Sequence, residues 1–247
     1  MTDNHYENDK LVAVYDLDSG WSVDRDFYLA LANKPQMTIL DVGCGTGLLC
    51  NKYAAQGHDV TGVDPSVAML NSGRAKKHGN KVDWVHAFAQ EFALNKLFDL
   101  IIMTGHAFQV LLTAEDVRAT LNNMKNHLKQ DGLIVFESRN PHIDWTNSWN
   151  YEMKIVLPDG GTVEESRHFI SMTDNQMSFE LRYQFHDELL KSESLLRFWT
   201  LQEIQSQLSA HGLFAEQVLG DWDGKEFNEK TSEEMIFLVR KQNGKGK

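Results

Sequence analysis

The chain has 247 residues, 42% hydrophobic and 24% charged, enough apolar content to bury a full core in one domain or one domain carrying an insertion. Its 24 basic residues face 35 acidic ones, a net charge of -11, with no dense basic run outside residues 241–247, so phosphate backbones are repelled and nucleic acid is not an expected partner. Nowhere do about 18 apolar residues run together, and residues 1–10 lack the apolar stretch of a signal peptide, so no membrane association is expected and a cytoplasmic location is.

In chain order, a helical segment is expected around residues 15–31. Short apolar runs then read as strands at 38–42, 60–64, 82–86, 100–103 and 133–137, separated by helical periodicity at 48–55, 67–77 and 114–128. Pro65 and Asp116 stand near helix starts, and Gly57 and Gly132 just past helix ends. The stripe Leu121, Met124 and Leu128 is a helix face turned to the sheet. This βαβ series predicts an α/β fold: a doubly wound, mostly parallel seven-stranded sheet with helices on both faces and a ligand beyond the carboxyl ends of the strands. After Glu137 the period becomes two, in Tyr151, Met153 and Ile155 and again in Met177, Phe179, Leu181, Tyr183 and Phe185. Turn chemistry at Pro158-Asp159-Gly160-Gly161 and Asp174-Asn175 agrees, so an antiparallel β layer is inserted after the fifth strand. A helix at 201–211 and apolar runs at 214–219 and 235–239 return the chain to the main sheet.

The strongest motif is Asp41-Val42-Gly43-Cys44-Gly45-Thr46-Gly47, directly after one predicted strand and directly before a predicted helix. Glycines there let the backbone turn tightly against a ligand, and the helix start offers unpaired N–H groups. Dinucleotide enzymes use a similar turn with one more residue before the third glycine, and Asp64, ending the next strand, suits a ribose in either case. The cysteines, Cys44 and Cys50, match neither a disulfide framework nor a metal site and are expected as reduced thiols; Cys44 reads as a small loop filler. His142, His168 and His186 lack ligand spacing, and no metal is expected.

Asp41 to Gly47, Gly62-Val63-Asp64-Pro65-Ser66 and Phe98-Asp99-Leu100-Ile101 together resemble, in order and spacing, the first, second and fourth motifs of class I S-adenosylmethionine-dependent methyltransferases of the small-molecule type. The resemblance implies S-adenosylmethionine as cofactor and S-adenosylhomocysteine as product. It implies that Asp41, Gly43, Cys44, Gly45 and Gly47 lie against the methionine part, that Asp64 takes both ribose hydroxyls, and that Pro65 packs on adenine, with Ser66 and Met69 following. Met103 and Thr104, ending the fourth strand, and Tyr15, from the segment preceding the sheet, complete the expected contacts. The family's third motif carries an acid that bonds the adenine amino group; here Ala87-Phe88-Ala89-Gln90 occupies that place, so Phe88, Ala89 and Gln90 are the adenine-side residues. The implied division is a helical cap at 1–36, a Rossmann-like cofactor-binding domain at 37–138 and 199–247, and a substrate-side layer at 139–198.

Nucleic-acid and protein amide methyltransferases place an Asn/Asp-Pro-Pro-aromatic motif after the fourth strand; this chain has Thr104-Gly105-His106-Ala107-Phe108-Gln109, which leaves a small-molecule methyl acceptor. His106 is the candidate general base, with packing or capping as its competing role. Trp21 beside Tyr15 suits a lid. Gln109, Arg139, Trp145 and Trp149 suit an aromatic and cationic acceptor pocket, against which stand core filling for the tryptophans and an acid partner for the arginine. Nitrogen is favoured over oxygen or carbon as the accepting atom. Two other readings stand beside this one: a nicotinamide-dependent oxidoreductase, for which no hydride-relay constellation is found, and a non-catalytic S-adenosylmethionine-binding module, for which Phe88 argues. No sequence feature separates an interface face from a core face, so the oligomeric state is left open.

Overall fold

Apolar runs buried on both faces pair as a parallel sheet covered by helices, and the computed structural model of the chain, which describes residues 4–242, contains that sheet. In chain order its strands are β1 (Thr38–Val42), β2 (Asp59–Asp64), β3 (Val82–His86), β4 (Phe98–Met103), β5 (Leu128–Arg139), then β10 (Leu213–Leu219) and β11 (Glu234–Lys241). They lie side by side as β10-β11-β5-β4-β1-β2-β3, with β11 antiparallel to both its neighbours and the other pairings parallel. Alternate residues serve opposite faces. Leu40, Val42, Ile101 and Met103 pack with Val117, Leu121 and Met124 of α6 (Ala114–His127) and Ile204 and Leu208 of α7 (Leu201–Ala210). Ile39, Val60, Leu100 and Ile102 pack with Tyr28 of α3 (Val23–Ala30) and Leu49 and Tyr53 of α4 (Leu48–Ala55). The topology is a doubly wound α/β fold, with helices on both faces as expected.

Between β5 and α7 stands the second sheet, antiparallel, in the order β6 (Tyr151–Val156), β7 (Thr162–Thr173), β8 (Gln176–Gln184), β9 (Leu189–Arg197). Along β8 buried Met177, Phe179, Leu181 and Tyr183 alternate with less buried residues, as the period of two requires. Their buried face packs with Trp149, Phe198 and, from α2 (Asp9–Asp18), Leu11 and Val14. The N-terminal segment therefore touches both sheets. α1 (Asn4–Glu7) precedes α2.

Three expectations need correction. The helical segment at 15–31 is two helices, because α2 starts at the Asn8 cap, ends at Ser19, and the chain turns at Gly20 before α3. Gly132 is not a residue following a helix: α6 ends at His127 and β5 begins at Leu128, with Gly132 inside the strand. A Cβ there would stand 2.7 Å from the Leu128 side chain and 3.0 Å from the Phe98 carbonyl, so close approach is the reason for glycine. The inserted layer has β7 and β9 as well, whose charged Glu165, Arg167 and Glu193 hide the apolar alternation.

Trp84 on β3 fixes how the ligand end of the sheet is packed. It lies opposite Gly62 of β2, and its Nε1–H donates to the Gly79 carbonyl at 2.8 Å. Its ring fills the space that side chains on Gly47 and on Gly73 of α5 (Val67–Ala75) would occupy, with an ideal Cβ 2.2 Å and 2.5 Å from the indole. Alanine is ordinarily better than glycine inside a helix by about 1 kcal/mol, but overpacking a closed site costs about 1–3 kcal/mol. Gly73→Ala is expected to destabilise the chain in urea denaturation, and the loss should largely vanish in a Trp84→Leu background.

Candidate active site

The loop between β1 and α4 turns on Gly43, Gly45 and Gly47, at φ of 72°, 53° and 67°, a region that side chains disfavour. Gly43 and Cys44 N–H donate to the Val63 carbonyl at 2.8 and 3.0 Å. Asp64, at the end of β2, accepts from Gly45 N–H through one oxygen and from Ser66 N–H through the other, both at 2.8 Å. Ser66 caps α5 by accepting from Met69 N–H at 3.1 Å and donates to the Tyr6 carbonyl at 2.6 Å. Each Asp64 oxygen keeps a further lone pair. Burial pushes its carboxyl above the usual range against the two backbone bonds that oppose the rise. A Cβ built on Gly45 would meet nothing within 4 Å, so the loop borders open space.

Behind the loop, Asp41 accepts from the Cys50 thiol at 3.3 Å, while its other oxygen is buried with no partner. Burial raises its carboxyl to about 7; the Cys50 bond opposes the rise, and the charges of Asp64 and Glu137 add to it. Burial also lifts the Cys44 thiol to about 11, which keeps it inert. α2 lies across this arrangement. The Thr46 hydroxyl donates to Asp16, itself paired with Lys76 at 2.6 Å. Tyr15 is pushed to about 12, first by burial, with Arg25 opposing and Asp64, Asp16 and Asp18 adding.

At the end of β4 two successive residues, Gly105 and His106, are left-handed, at φ of 67° and 59°. That conformation is uncommon for a histidine and is held by its surroundings. His106 N–H donates to Glu137 Oε1 at 2.7 Å, and Tyr28 donates to Glu137 Oε2. The imidazole Nε2 stands 2.9 and 3.0 Å from the two oxygens of Glu234, at the start of β11. A carboxylate only accepts, so Nε2 carries the proton and Nδ1 is left as the basic nitrogen. Burial would raise Glu234, but the hydrogen bond from His106, its electrostatic attraction to that ring and the charge of Arg139 together hold it below its usual range. Arg139, in register with Glu234, donates to Gln109 Oε1 at 3.0 Å, and its guanidinium lies over Trp149 and Trp145 at 4.8 and 5.7 Å.

The sequence-derived residues thus fall into groups. Asp41, the glycines, Asp64, Ser66 and Tyr15 come together, as do His106, Gln109, Arg139, Trp145 and Trp149. Pro65 takes the His86 ring on its carbonyl at 2.8 Å. Phe88 is 47% exposed just past β3. Gln90 is tied to Asp116 at 3.1 Å, and the Ala89 carbonyl accepts from Asn123 at 3.2 Å. Met69 and Met103 are buried and Thr104 is half-buried. Trp21 is not brought to the acceptor group: its indole donates to Asp26 at 2.7 Å and lies under Lys52 of α4 at 5.1 Å. Glu234, Glu137, Tyr28 and Arg167 were not anticipated. A carboxylate closing the apolar run at Glu137 was the available signal; Glu234 sits in an acidic stretch that reads as surface.

Residues 39–132 match the family described as "Methyltransferase domain". A ubiquinone biosynthesis O-methyltransferase of Rickettsia canadensis is 32% identical over 107 residues, 42% of this chain and 44% of that protein, so this chain spans less than half the length of that relative. A Geobacillus sp. (strain WCH70) protein whose name gives a methyltransferase and no substrate is 28% identical over 222 residues, 82% of this chain and 84% of its own. Among solved structures, an S-adenosylmethionine-dependent methyltransferase of Clostridium acetobutylicum superposes with a TM-score of 0.76 at 18% identity, covering 95% of this chain and 98% of that one. CalS10, an amino pentose methyltransferase of Micromonospora echinaspora, gives 0.68 at 22%, covering 92% and 95%.

The unpartnered Asp41 oxygen bears on how stability depends on pH. A carboxyl that is protonated up to about 7 when folded, against an ordinary value near 4 when unfolded, makes the folded state bind the extra proton. Stability should fall as pH rises through that window and stay low above it. Asp41→Asn removes the dependence, so its thermal midpoint relative to the unsubstituted chain is expected to be several degrees more favourable at pH 8 than at pH 5 in calorimetry.

Proposed function

We propose that the chain moves the methyl group of S-adenosylmethionine to a nucleophilic atom of a small molecule. The observation that carries this reading is the Asp64 carboxylate bridging Gly45 and Ser66 at the carboxyl ends of β1 and β2, with the unpartnered Asp41 oxygen behind three left-handed glycines. The residues fit the group. Asp64 keeps lone pairs for a diol, Asp41 offers an acceptor for an ammonium, and Asp64 and Glu137 give a negative field suited to a cationic cofactor. Pro65 and Phe88 offer apolar surface for adenine. The cofactor supplies a methyl group on a sulfonium, already a strong electrophile.

The work left to the protein is alignment and removal of one proton. Nδ1 of His106 takes that proton, with Glu234 fixing the tautomer and stabilising the charged ring that results. Glu137 acts one step back, as a positioning residue that holds the left-handed backbone. Nitrogen is the acceptor favoured, because the acids around His106 suit a basic amine. The name of the Rickettsia relative supports oxygen instead.

Isothermal titration tests the reading directly. S-adenosylmethionine and S-adenosylhomocysteine are expected to bind while NAD(H) does not, and Asp64→Ala should weaken both by about 100-fold, as loss of two charge-assisted bonds would. Binding of NAD(H) alone would overturn it. For any acceptor that turns over, Glu234→Gln should lower kcat by about tenfold or more with the methyl donor's KM little changed. An unchanged kcat would leave His106 a structural role.

A further inference from the structure

Two arginines, one of them beside the Glu234 that holds His106, converge on one indole. Arg139, at the end of β5, lies 4.8 Å from the Trp149 ring centre, and Arg167, on β7, lies 5.2 Å from it. Neither has a carboxylate within 4 Å among the described residues, in a chain whose acids outnumber its bases 35 to 24. A guanidinium has five N–H donors, yet the hydrogen bonds of these side chains are Arg139 to Gln109 Oε1 and Arg167 to the Tyr151 hydroxyl, each at 3.0 Å. Arg167 Nε and the Trp149 Nε1–H are both buried and without a partner.

Buried donors left unpaired are costly, and like charges brought toward one ring repel. Burial lowers Arg139 to about 10, with Arg167 adding to the fall and Glu234 opposing it. Glu165 offers weak compensation: no oxygen of it lies within 4 Å of Arg167, it is linked to that residue through the Tyr151 hydroxyl, and burial and Asp18 raise its carboxyl against the attraction of Arg167. The unmet atoms of Arg167 and Trp149 are donors, which an acceptor carrying negative charge would complete; Glu165 Oε2, beyond the Tyr151 hydroxyl, is itself buried and unpartnered, its carboxyl raised to about 7 by burial, and leaves these donors unmet. Glu137, Glu165 and Glu234 stand around the pair, which disfavours a dianion and suits a single planar oxyanion matched to the guanidinium fork.

From this juxtaposition we infer that the methyl acceptor bears a carboxylate, held by Arg139 and Arg167 against the face and edge of Trp149. The inference rests on the methyl-transfer reading for the role of the site, and names the class of molecule that enters it. A small amino acid or other amine-bearing carboxylic acid satisfies both ends, with its carboxylate on the arginines and its nitrogen toward His106.

The test uses the full chain and sodium benzoate as probe, with benzamide and phenylphosphonate as neutral and dianionic counterparts, titrated by calorimetry with and without S-adenosylhomocysteine. Benzoate is expected to bind, benzamide about tenfold or more weakly, and Arg167→Gln and Arg139→Gln should each weaken benzoate by about tenfold or more while S-adenosylhomocysteine binds as before. Removing an uncompensated charge should leave the melting temperature of Arg167→Gln at or above that of the unsubstituted chain. Equal binding of benzoate and benzamide, no benzoate binding, indifference to both substitutions, or phenylphosphonate binding more tightly than benzoate would each overturn the inference. A chain that binds benzoate in this pattern but not S-adenosylhomocysteine would sink the methyl-transfer reading and leave the carboxylate site standing.

Discussion

The Asp64 carboxylate joins two parts of the backbone, the loop after β1 and the start of α5, at the ends of paired strands. Its oxygens take the Gly45 and Ser66 N–H groups, which ties the loop after β1 to the start of α5. Both donors belong to turns whose N–H groups lack helix partners, so the same acid that satisfies the backbone also sets the width of the opening between loop and helix. Beside these bonds Ser66 donates to the Tyr6 carbonyl and Thr46 to Asp16, both donors lying on the segments that Asp64 joins. The N-terminal helices are in this way registered against the ligand end of the sheet.

How much of this was legible in the sequence follows from the range of each interaction. β1, α4 and the glycine loop are set by neighbours a few residues apart, and their bounds agree with those read from periodicity and turn chemistry. Asp64 was visible because a strand end is a local feature. Glu234 was not, because its meaning comes from His106, 128 residues away, across a register that places it opposite Arg139. Arg167 was hidden for a related reason: it interrupts an alternating strand and reads as surface, while its aromatic neighbours Trp149, Tyr151 and Phe179 come from β6, β8 and the segment before them. The break at Gly20 and the strand position of Gly132 were missed because local glycine rules do not say whether a helix or a close neighbour is responsible.

Trp84 shows the same limit from the packing side. Its ring occupies the volume that side chains on Gly47 and Gly73 would need, so those glycines are required by a residue on a different strand as well as by backbone geometry. At Gly47 the left-handed φ adds a second requirement. A loop built this way is stiff, since it cannot shift without disturbing an indole anchored on Gly79. Stiffness suits a site whose contribution is alignment.

Buried polar atoms are nearly always paired, so the exceptions carry information about what a fold is built to hold. Two kinds stand at this site and they have opposite sign. On the loop side the unmet atom is an acceptor, Asp41 Oδ1, within the field of Asp64 and Glu137; on the side of the second sheet Arg167 and Trp149 leave donors unmet, beside the unmet acceptor Glu165 Oε2. His106 stands between these regions, its backbone on Glu137 and its ring on Glu234, which also faces Arg139. A cationic guest at one end and an anionic guest at the other would each relieve a cost that folding leaves in place, and each would lower the energy of the other through their mutual attraction. Were the proposed cofactor and acceptor both to bind, their binding would be coupled by charge, the first guest making the site more favourable for the second.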